Sequence, residues 1–182
     1  MYTIKLDNDI TLNELELSSA ENLYDLICTN RKYLRKWLTW VDETKYLDDT
    51  ISYVQSVLDR DMFSGRYVLE IRHYDELAGI IDFHNGDKIN MIVEIGYWLA
   101  EKFQGKGIIT KSCRSCIDYA FQSLDFNRVV IKCAVGNHRS IGIPERLNFK
   151  FEGIEREGQN LNGIYTDLLV FSMLKRDWPE LP

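Results

Sequence analysis

The short segment Gln104-Gly105-Lys106-Gly107 stands between a strand pattern, Glu94-Ile95-Gly96-Tyr97-Trp98-Leu99, and an amphipathic helical pattern running from Ile108 to about Leu124. A β-branched stretch, Arg128 to Val135, follows that helix. A strand, a helix and a second strand in this order imply a parallel pair joined by a right-handed crossover. The glycines let backbone N–H groups approach a ligand closely, and the helix behind them adds its N-terminal dipole. Together they suit a pyrophosphate.

The rest of the chain supplies only antiparallel elements. Thr3 to Leu6 and Ile10 to Leu15 read as short strands around an Asp7-Asn8-Asp9 turn. Ser18-Ser19-Ala20-Glu21 predicts a capping box with Ser18 as N-cap, ahead of a helix carrying Leu23, Leu26 and Ile27 on one face. Arg31 to Trp40 continues the helical pattern, and Asp48 or Asp49 caps a second long helix with Ile51, Val54, Val57 and Leu58 inward. Tyr67 to His73, Leu77 to Phe83 and Met91 to Leu99 form a meander with turns at Asp75-Glu76 and Asn85-Gly86-Asp87. Asn137 to Leu147 is a short helix, and Phe149 to Arg156 with Tyr165 to Leu174 is a closing hairpin. The expected fold is α+β, a mixed α/β domain over residues 1–182 with a mainly antiparallel sheet and one parallel crossover. A doubly wound dinucleotide fold needs several consecutive crossovers. The loop also lacks G-x-G-x-x-G and G-x-x-x-x-G-K-[ST], so NAD and P-loop NTPase readings fall behind.

A chain of 182 residues is long enough to bury one substantial core. Its formal charge of −6 argues against general nucleic-acid binding, which needs a basic footprint. No apolar run is long enough to span a bilayer, and the N-terminus alternates like a strand instead of forming a signal-peptide core. A cytoplasmic protein is expected, with no membrane partner. Cys113 and Cys116 form a C-x-x-C without the second ligand pair a zinc site needs. Both fall on the apolar stripe Ile109, Cys113, Cys116, Ile117, Ala120, Phe121, Leu124, so they read as core.

Four segments in order resemble the GCN5-related N-acetyltransferase (GNAT) superfamily: Glu94 to Leu99, Gly105-Lys106-Gly107-Ile108-Ile109-Thr110, Asn137-His138-Arg139-Ser140, and Pro144-Glu145-Arg146-Leu147-Asn148-Phe149. With the ending from Asn162-Gly163 to Trp178, the chain is most similar to the RimJ/RimL branch, and within it to ribosomal N-acetyltransferases of the YdaF type. The resemblance implies the acyl-CoA N-acyltransferase fold and acetyl-CoA as cosubstrate, without a metal. It implies direct acetyl transfer to a primary amine, the N-terminal α-amine of a protein such as a ribosomal protein. A small-molecule amine, such as an antibiotic or polyamine, and a non-catalytic acyl-CoA-binding domain are the alternatives. A homodimer stays open. There are departures: Lys102 stands where the family loop has Gln or Arg, Pro144 where a tyrosine general acid is common, and Asn148 where glycine is usual.

The resemblance also distributes roles. Gln104, Gly105, Lys106, Gly107, Ile108 and Thr110 hold the pyrophosphate. The backbone of Tyr97, Trp98 and Leu99 offers N–H donors to the developing oxyanion, often the largest catalytic contribution. Glu94 is the expected base, on one sheet face with Gly96 and Trp98. Asn137 contacts the pantetheine arm and Ser140 stabilises the leaving thiolate, although both residue types also suit a helix cap. Cys133 reads as strand core at the edge of the gap. Tyr33, Trp37, Trp40, His84 and Tyr165 are candidates for the acceptor wall, with Asp167 and Glu94 as attractors of a cationic acceptor. His73 and His84 show no evident partner.

Overall fold

The computed structural model describes residues 3–59 and 66–179. The Met1-Tyr2 start of the N-terminal strand pattern lies outside them. Among the described residues, eight strands form one sheet: β1 (Thr3–Lys5), β2 (Ile10–Glu14), β3 (Arg66–His73), β4 (Glu76–Asp87), β5 (Ile92–Leu99), β6 (Arg128–Ala134), β7 (Lys150–Leu161) and β8 (Ile164–Leu174). Four α-helices accompany them in the described residues: α1 (Ala20–Leu34), α2 (Leu47–Leu58), α3 (Ile108–Gln122) and α4 (His138–Arg146). The strand order is β1-β2-β3-β4-β5-β6-β8-β7. Every neighbouring pair is antiparallel except β5–β6, so the single crossover through α3 is present as the pattern predicts.

That parallel pair is short. Ile92, Val93 and Glu94 pair with Arg128, Val129 and Val130, and there the ladder stops. Beyond Glu94, β5 stays on β4 as far as Leu99 opposite Gly79, while β6 stays on β8 as far as Ala134 opposite Leu168. The sheet therefore opens between β5 and β6, and the β6-facing edge of β5 from Ile95 onward carries no ladder.

Side-chain alternation sorts the two faces. Val93, Ile95, Val129, Ile131 and Cys133 pack with Ile108, Cys113, Cys116, Ile117 and Phe121 of α3 and Ile143 of α4. Val68 and Ile80 point the other way, against Ala20, Leu23 and Ile27 of α1 and Val54 and Val57 of α2. Glu94, Gly96 and Trp98 share that second face. Phe121 is 2 % exposed, so its loss costs about 3–5 kcal/mol and loosens the crossover. Cys113 and Cys116 are buried, and burial pushes both thiols well above their ordinary range. They are core, as the stripe predicts.

Several local expectations are corrected. The capping box at Ser18 does not form. A short helical turn, Leu17–Ser19, leads into α1, Ser19 is the N-cap in a helical conformation, and Ser18 Oγ donates instead to Glu16 Oε2 at 3.3 Å. An N-cap side chain needs extended backbone to reach back to the helix, and this entry does not provide it. Helix α1 stops at Leu34, not Trp40; the Arg31 guanidinium donates to the Val41 and Thr44 carbonyls and folds the 35–46 connection back. Asp49 caps α2 from its third position, accepting from Lys45 N and Tyr46 N, both at 2.8 Å. Ile51 and Leu58 are exposed, while Thr50, Val54 and Val57 face inward. The β3–β4 turn is at Tyr74-Asp75, both with positive φ (51° and 62°). Strand β4 runs on to Asp87, and the final hairpin is tighter and longer than expected, turning at Asn162-Gly163. Asn148 holds a φ of 59°, so the left-handed turn after α4 survives the missing glycine.

Candidate active site

The opening between β5 and β6 is occupied by a cavity of about 790 Å³, lined from both faces of the sheet. Tyr97, Leu99, Gln104, Gly105, Lys106, Gly107, Ile108, Thr110, Asn137 and Ser140 all border it on the α3–α4 side, and Trp98 borders it from the other. The sequence brought these residues forward separately; the fold brings them together.

At the glycine turn, Gly105 and Gly107 both have φ of +74°, and a Cβ at either position would meet nothing within 4 Å. The requirement is for left-handed backbone, not for space. Gly107 is the N-cap of α3, so the first-turn N–H groups face the cavity without helical partners. Gln104 donates to the Tyr33 hydroxyl and accepts from Arg139, linking α1, the loop and α4. Arg146 Nε lies 3.4 Å from Thr110 Oγ1. Arg139 and Arg146 thus flank the loop from α4 and add positive charge beside the glycine turn; sequence reasoning missed both, since their seven-residue spacing on one helix was the only signal. Lys106 borders the cavity, whereas Lys102 turns away to pair with Glu76 and sits 4.8 Å over the Phe103 ring.

At the other end of α4, Asn137 caps the helix through Oδ1, which accepts from Ser140 N at 3.3 Å, while also bordering the cavity. Ser140 Oγ donates to the Tyr97 hydroxyl at 3.3 Å and lies 3.3 Å from Cys133 Sγ. The Tyr97 hydroxyl donates in turn to the Ser140 carbonyl at 3.2 Å. Burial pushes the Tyr97 phenol and the Cys133 thiol upward, so both stay neutral. The Tyr97 side chain is a member of this cluster that the sequence reading used only for its backbone.

On the α1–α2 face, charges alternate across the strands. Asp82 Oδ1 is 2.7 Å from His84 Nδ1. His84 Nε2 is 3.6 Å from Glu94 Oε2. Lys132 Nζ is 3.1 Å from Glu94 Oε1 and 2.9 Å from Glu155 Oε1. Burial alone would lower the His84 pKa, but the hydrogen bond to Asp82 and the negative charge of Asp82 and Glu94 overcome it and raise it to about 9. Burial alone would raise Glu94, but His84 and Lys132 hold it at about 2. The expectation that His84 has no partner is therefore corrected. Asp82, His84 and Lys132 border the cavity; Glu94 stands behind them and does not.

Tyr33, Trp37 and Trp40 border the same space, with the Trp40 ring 6.0 Å from that of Trp98. Tyr165 does not: it sits near the hairpin tip, 65 % exposed. Asp167 is also absent from the wall, its Oδ1 accepting from Glu157 N at 2.7 Å to close an irregular stretch of β7. His138 is exposed at the start of α4.

A lone parallel crossover that parts after three pairs, with a glycine turn opening its helix, is the layout of an acyl-CoA N-acyltransferase fold. The acetyltransferase (GNAT) domain matches residues 9–150, and the chain belongs to this family: it is an acetyl-CoA-dependent N-acetyltransferase. It is 41 % identical over 182 residues to the "Putative ribosomal N-acetyltransferase YdaF" of Bacillus subtilis (strain 168), covering 98 % of each chain. It is 33 % identical over 172 residues to the ribosomal-protein-serine acetyltransferase of Escherichia coli (strain K12), covering 94 % of this chain and 96 % of that one. Among solved structures, RimL, a ribosomal L7/L12 α-N-protein acetyltransferase in complex with coenzyme A disulfide-linked to one of its cysteines, superposes with a TM-score of 0.91 at 28 % identity, over 95 % of this chain and 98 % of that one. No helix among the described residues is long and apolar enough to cross a membrane.

Proposed function

We propose that this enzyme transfers acetyl directly from acetyl-CoA to the N-terminal α-amine of a protein, with a ribosomal protein as the substrate class. The observation that carries the proposal is the cavity's passage through the sheet: the thioester arrives along the α3–α4 face and the amine from the α1–α2 face, beneath the aromatic wall of Tyr33, Trp37 and Trp40. The full-length likeness to proteins named for ribosomal acetylation supports the acceptor.

The steps follow from the chemistry. The turn from Gln104 to Gly107, the first turn of α3 through Thr110 and the α4 arginines hold the phosphates. The unpaired edge of β5 at Tyr97 to Leu99 presents N–H donors where the thioester oxygen gains charge, and fixed donors there cost no reorganisation during reaction. The deprotonated amine attacks the carbonyl carbon, the C–N bond forms and the C–S bond breaks. Ser140 supplies a hydrogen bond to the departing thiolate, and Asn137 steers the pantetheine arm. Glu94 contributes to proton removal on the acceptor side. An α-amine, with a pKa of about 7.7–8.0 against about 10.4 for lysine, needs only modest help.

Thiol release measured with a panel of peptides, polyamines and aminoglycosides tests this reading. Turnover confined to peptides with a free N-terminus is expected. Turnover confined to small amines overturns the protein acceptor, and acetyl-CoA binding without turnover on any amine overturns catalysis.

A further inference from the structure

The acetyl-transfer reading leaves open where the ammonium proton goes, and the inference below rests on that reading. Glu94 is the last residue of β5 paired with β6, but it lies behind the cavity wall with Oε1 held by Lys132 at 3.1 Å. His84 stands with Asp82 and Lys132 between Glu94 and the substrate space. It faces Glu94 directly across the β4–β5 ladder, and its ring lies against the β5 backbone at Gly96, where a Cβ would come within 2.9 Å of Cε1 and 3.3 Å of Nδ1. Glycine at 96 is thus what admits the imidazole.

We propose that His84 is the residue that takes the proton from the acceptor ammonium, with Asp82 and Glu94 as its positioning carboxylates. Asp82, at 2.7 Å, takes the Nδ1–H of the neutral ring and so leaves Nε2 as the lone-pair nitrogen. Glu94, at 3.6 Å from Nε2, is too far for a good hydrogen bond, so that lone pair stays available to the amine or a bridging water. The proton moves from ammonium nitrogen to Nε2, the electron pair of the broken N–H bond stays on the amine, and the imidazolium so formed is stabilised by the two carboxylates. After transfer, the second amine proton goes to the departing thiolate and His84 returns its own proton to solvent. The charged and titratable groups around the ring are Asp82 on β4, Glu94 on β5, Arg66 directly opposite on β3, Lys132 on β6 with Glu155 beyond it on β7, and the Tyr53 phenol of α2, which lies in the field of Asp82 and Arg66.

With its pKa near 9, His84 is mostly imidazolium at neutral pH, and its base form grows about tenfold per pH unit up to that value. The test is the pH dependence of kcat on a peptide acceptor for wild type, Glu94→Gln, His84→Gln and His84→Asn, alongside the imidazole NMR titration. The chain has three histidines, so loss of one resonance in His84→Gln assigns the signal. Expected are an acid limb near pH 9 in wild type, its loss in both His84 variants with about a 10²-fold lower kcat at pH 9, and its displacement to lower pH in Glu94→Gln. The displacement follows because removing a neighbouring anion destabilises the imidazolium, lowering the His84 pKa by about one unit. A limb retained in both folded His84 variants overturns the assignment, as does a limb that Glu94→Gln abolishes instead of moving. A wild type that binds acetyl-CoA but acetylates no amine overturns the parent reading, and this assignment with it; a wild type that acetylates peptides and keeps its limb without His84 overturns this assignment alone.

Discussion

The hydroxyl of Tyr97 donates, at 3.2 Å, to the backbone carbonyl that Pro144 leaves without its helical partner. Proline has no N–H, so the carbonyl four residues earlier, that of Ser140, loses the bond an ordinary residue would give it. Tyr97 supplies the missing donor from a strand 43 residues away in sequence, and its oxygen accepts the Ser140 hydroxyl in return. The position where the family resemblance leads one to expect a tyrosine thus still bears on the proposed thiolate site, through a different tyrosine.

Ser140→Ala and Tyr97→Phe separate the two contributions. On the proposed mechanism, Ser140→Ala removes the hydroxyl that turns from Tyr97 to the leaving sulfur, and it should lower kcat about 10²-fold while acetyl-CoA KM changes little. Tyr97→Phe removes two hydrogen bonds, each worth about 1 kcal/mol, and should lower kcat about fivefold by freeing the Ser140 rotamer. Initial rates against both substrates check this; a rise in acetyl-CoA KM with kcat intact would make Ser140 a binding residue.

Gly107→Ala tests the anion turn. Nothing obstructs an added Cβ, so the cost is the left-handed backbone alone, about 1–2 kcal/mol. Acetyl-CoA should bind roughly tenfold more weakly by calorimetry, with the acceptor KM unchanged. Equal losses for both substrates would place the turn outside the donor site.

Stability should fall on both sides of a plateau. His84 is raised from 6.5 to about 9 on folding, so its contribution is complete below pH 6.5 and is lost as pH rises through 9. Glu94 and Glu152, the latter paired with Arg128 and accepting from Ser172 Oγ, are lowered from 4.5 to about 2, so their contribution is complete above pH 4.5 and is lost as pH falls toward 2. Thermal unfolding should give the highest Tm between these limits. His84→Gln should remove the alkaline decline and shrink the acid one, because Glu94 loses its histidine partner while Glu152 keeps Arg128; an unchanged alkaline decline would mean that other groups cause it.

Glu70 lies buried in β3, with Oε2 held by Arg72 at 2.8 Å and Oε1 without a hydrogen-bond partner among the described residues. Arg72→Met should cost about 3 kcal/mol because it strands a buried carboxylate. Converting both residues to Met should recover most of that loss, since well-packed apolar side chains replace a costly buried pair. Urea denaturation of the single and double variants measures the difference.

The sequence carried the crossover, the glycine turn and the donor half of the cavity because those signals are local. A helical stripe, two glycines and a β-branched run occupy adjacent stretches, and the first-turn residues follow from them. The acceptor half was less legible for the opposite reason. Asp82 and His84 show their shared face by alternation, but His84 meets Glu94 only through a register that passes an irregularity between His84 and Asp87. Lys132 reaches Glu94 only because β6 runs parallel to β5 for three pairs and then departs. Tyr165 was placed wrongly because the last hairpin continues to Asn162-Gly163, carrying that ring out to the tip. Tyr97 was valued for its amide alone, since nothing in the pattern tells how far a phenol reaches once Pro144 has vacated a carbonyl.

The parting of β5 from β6 also governs traffic. A sheet closed there would force donor and acceptor to share one doorway, so a spent carrier would have to wait for the acetylated product to leave. An aperture served from opposite faces removes that queue. On the proposed reading, CoA would withdraw past the glycine turn while a protein acceptor is still docked beneath the tryptophans, and the order in which products depart would be a property of their separate affinities rather than of the fold.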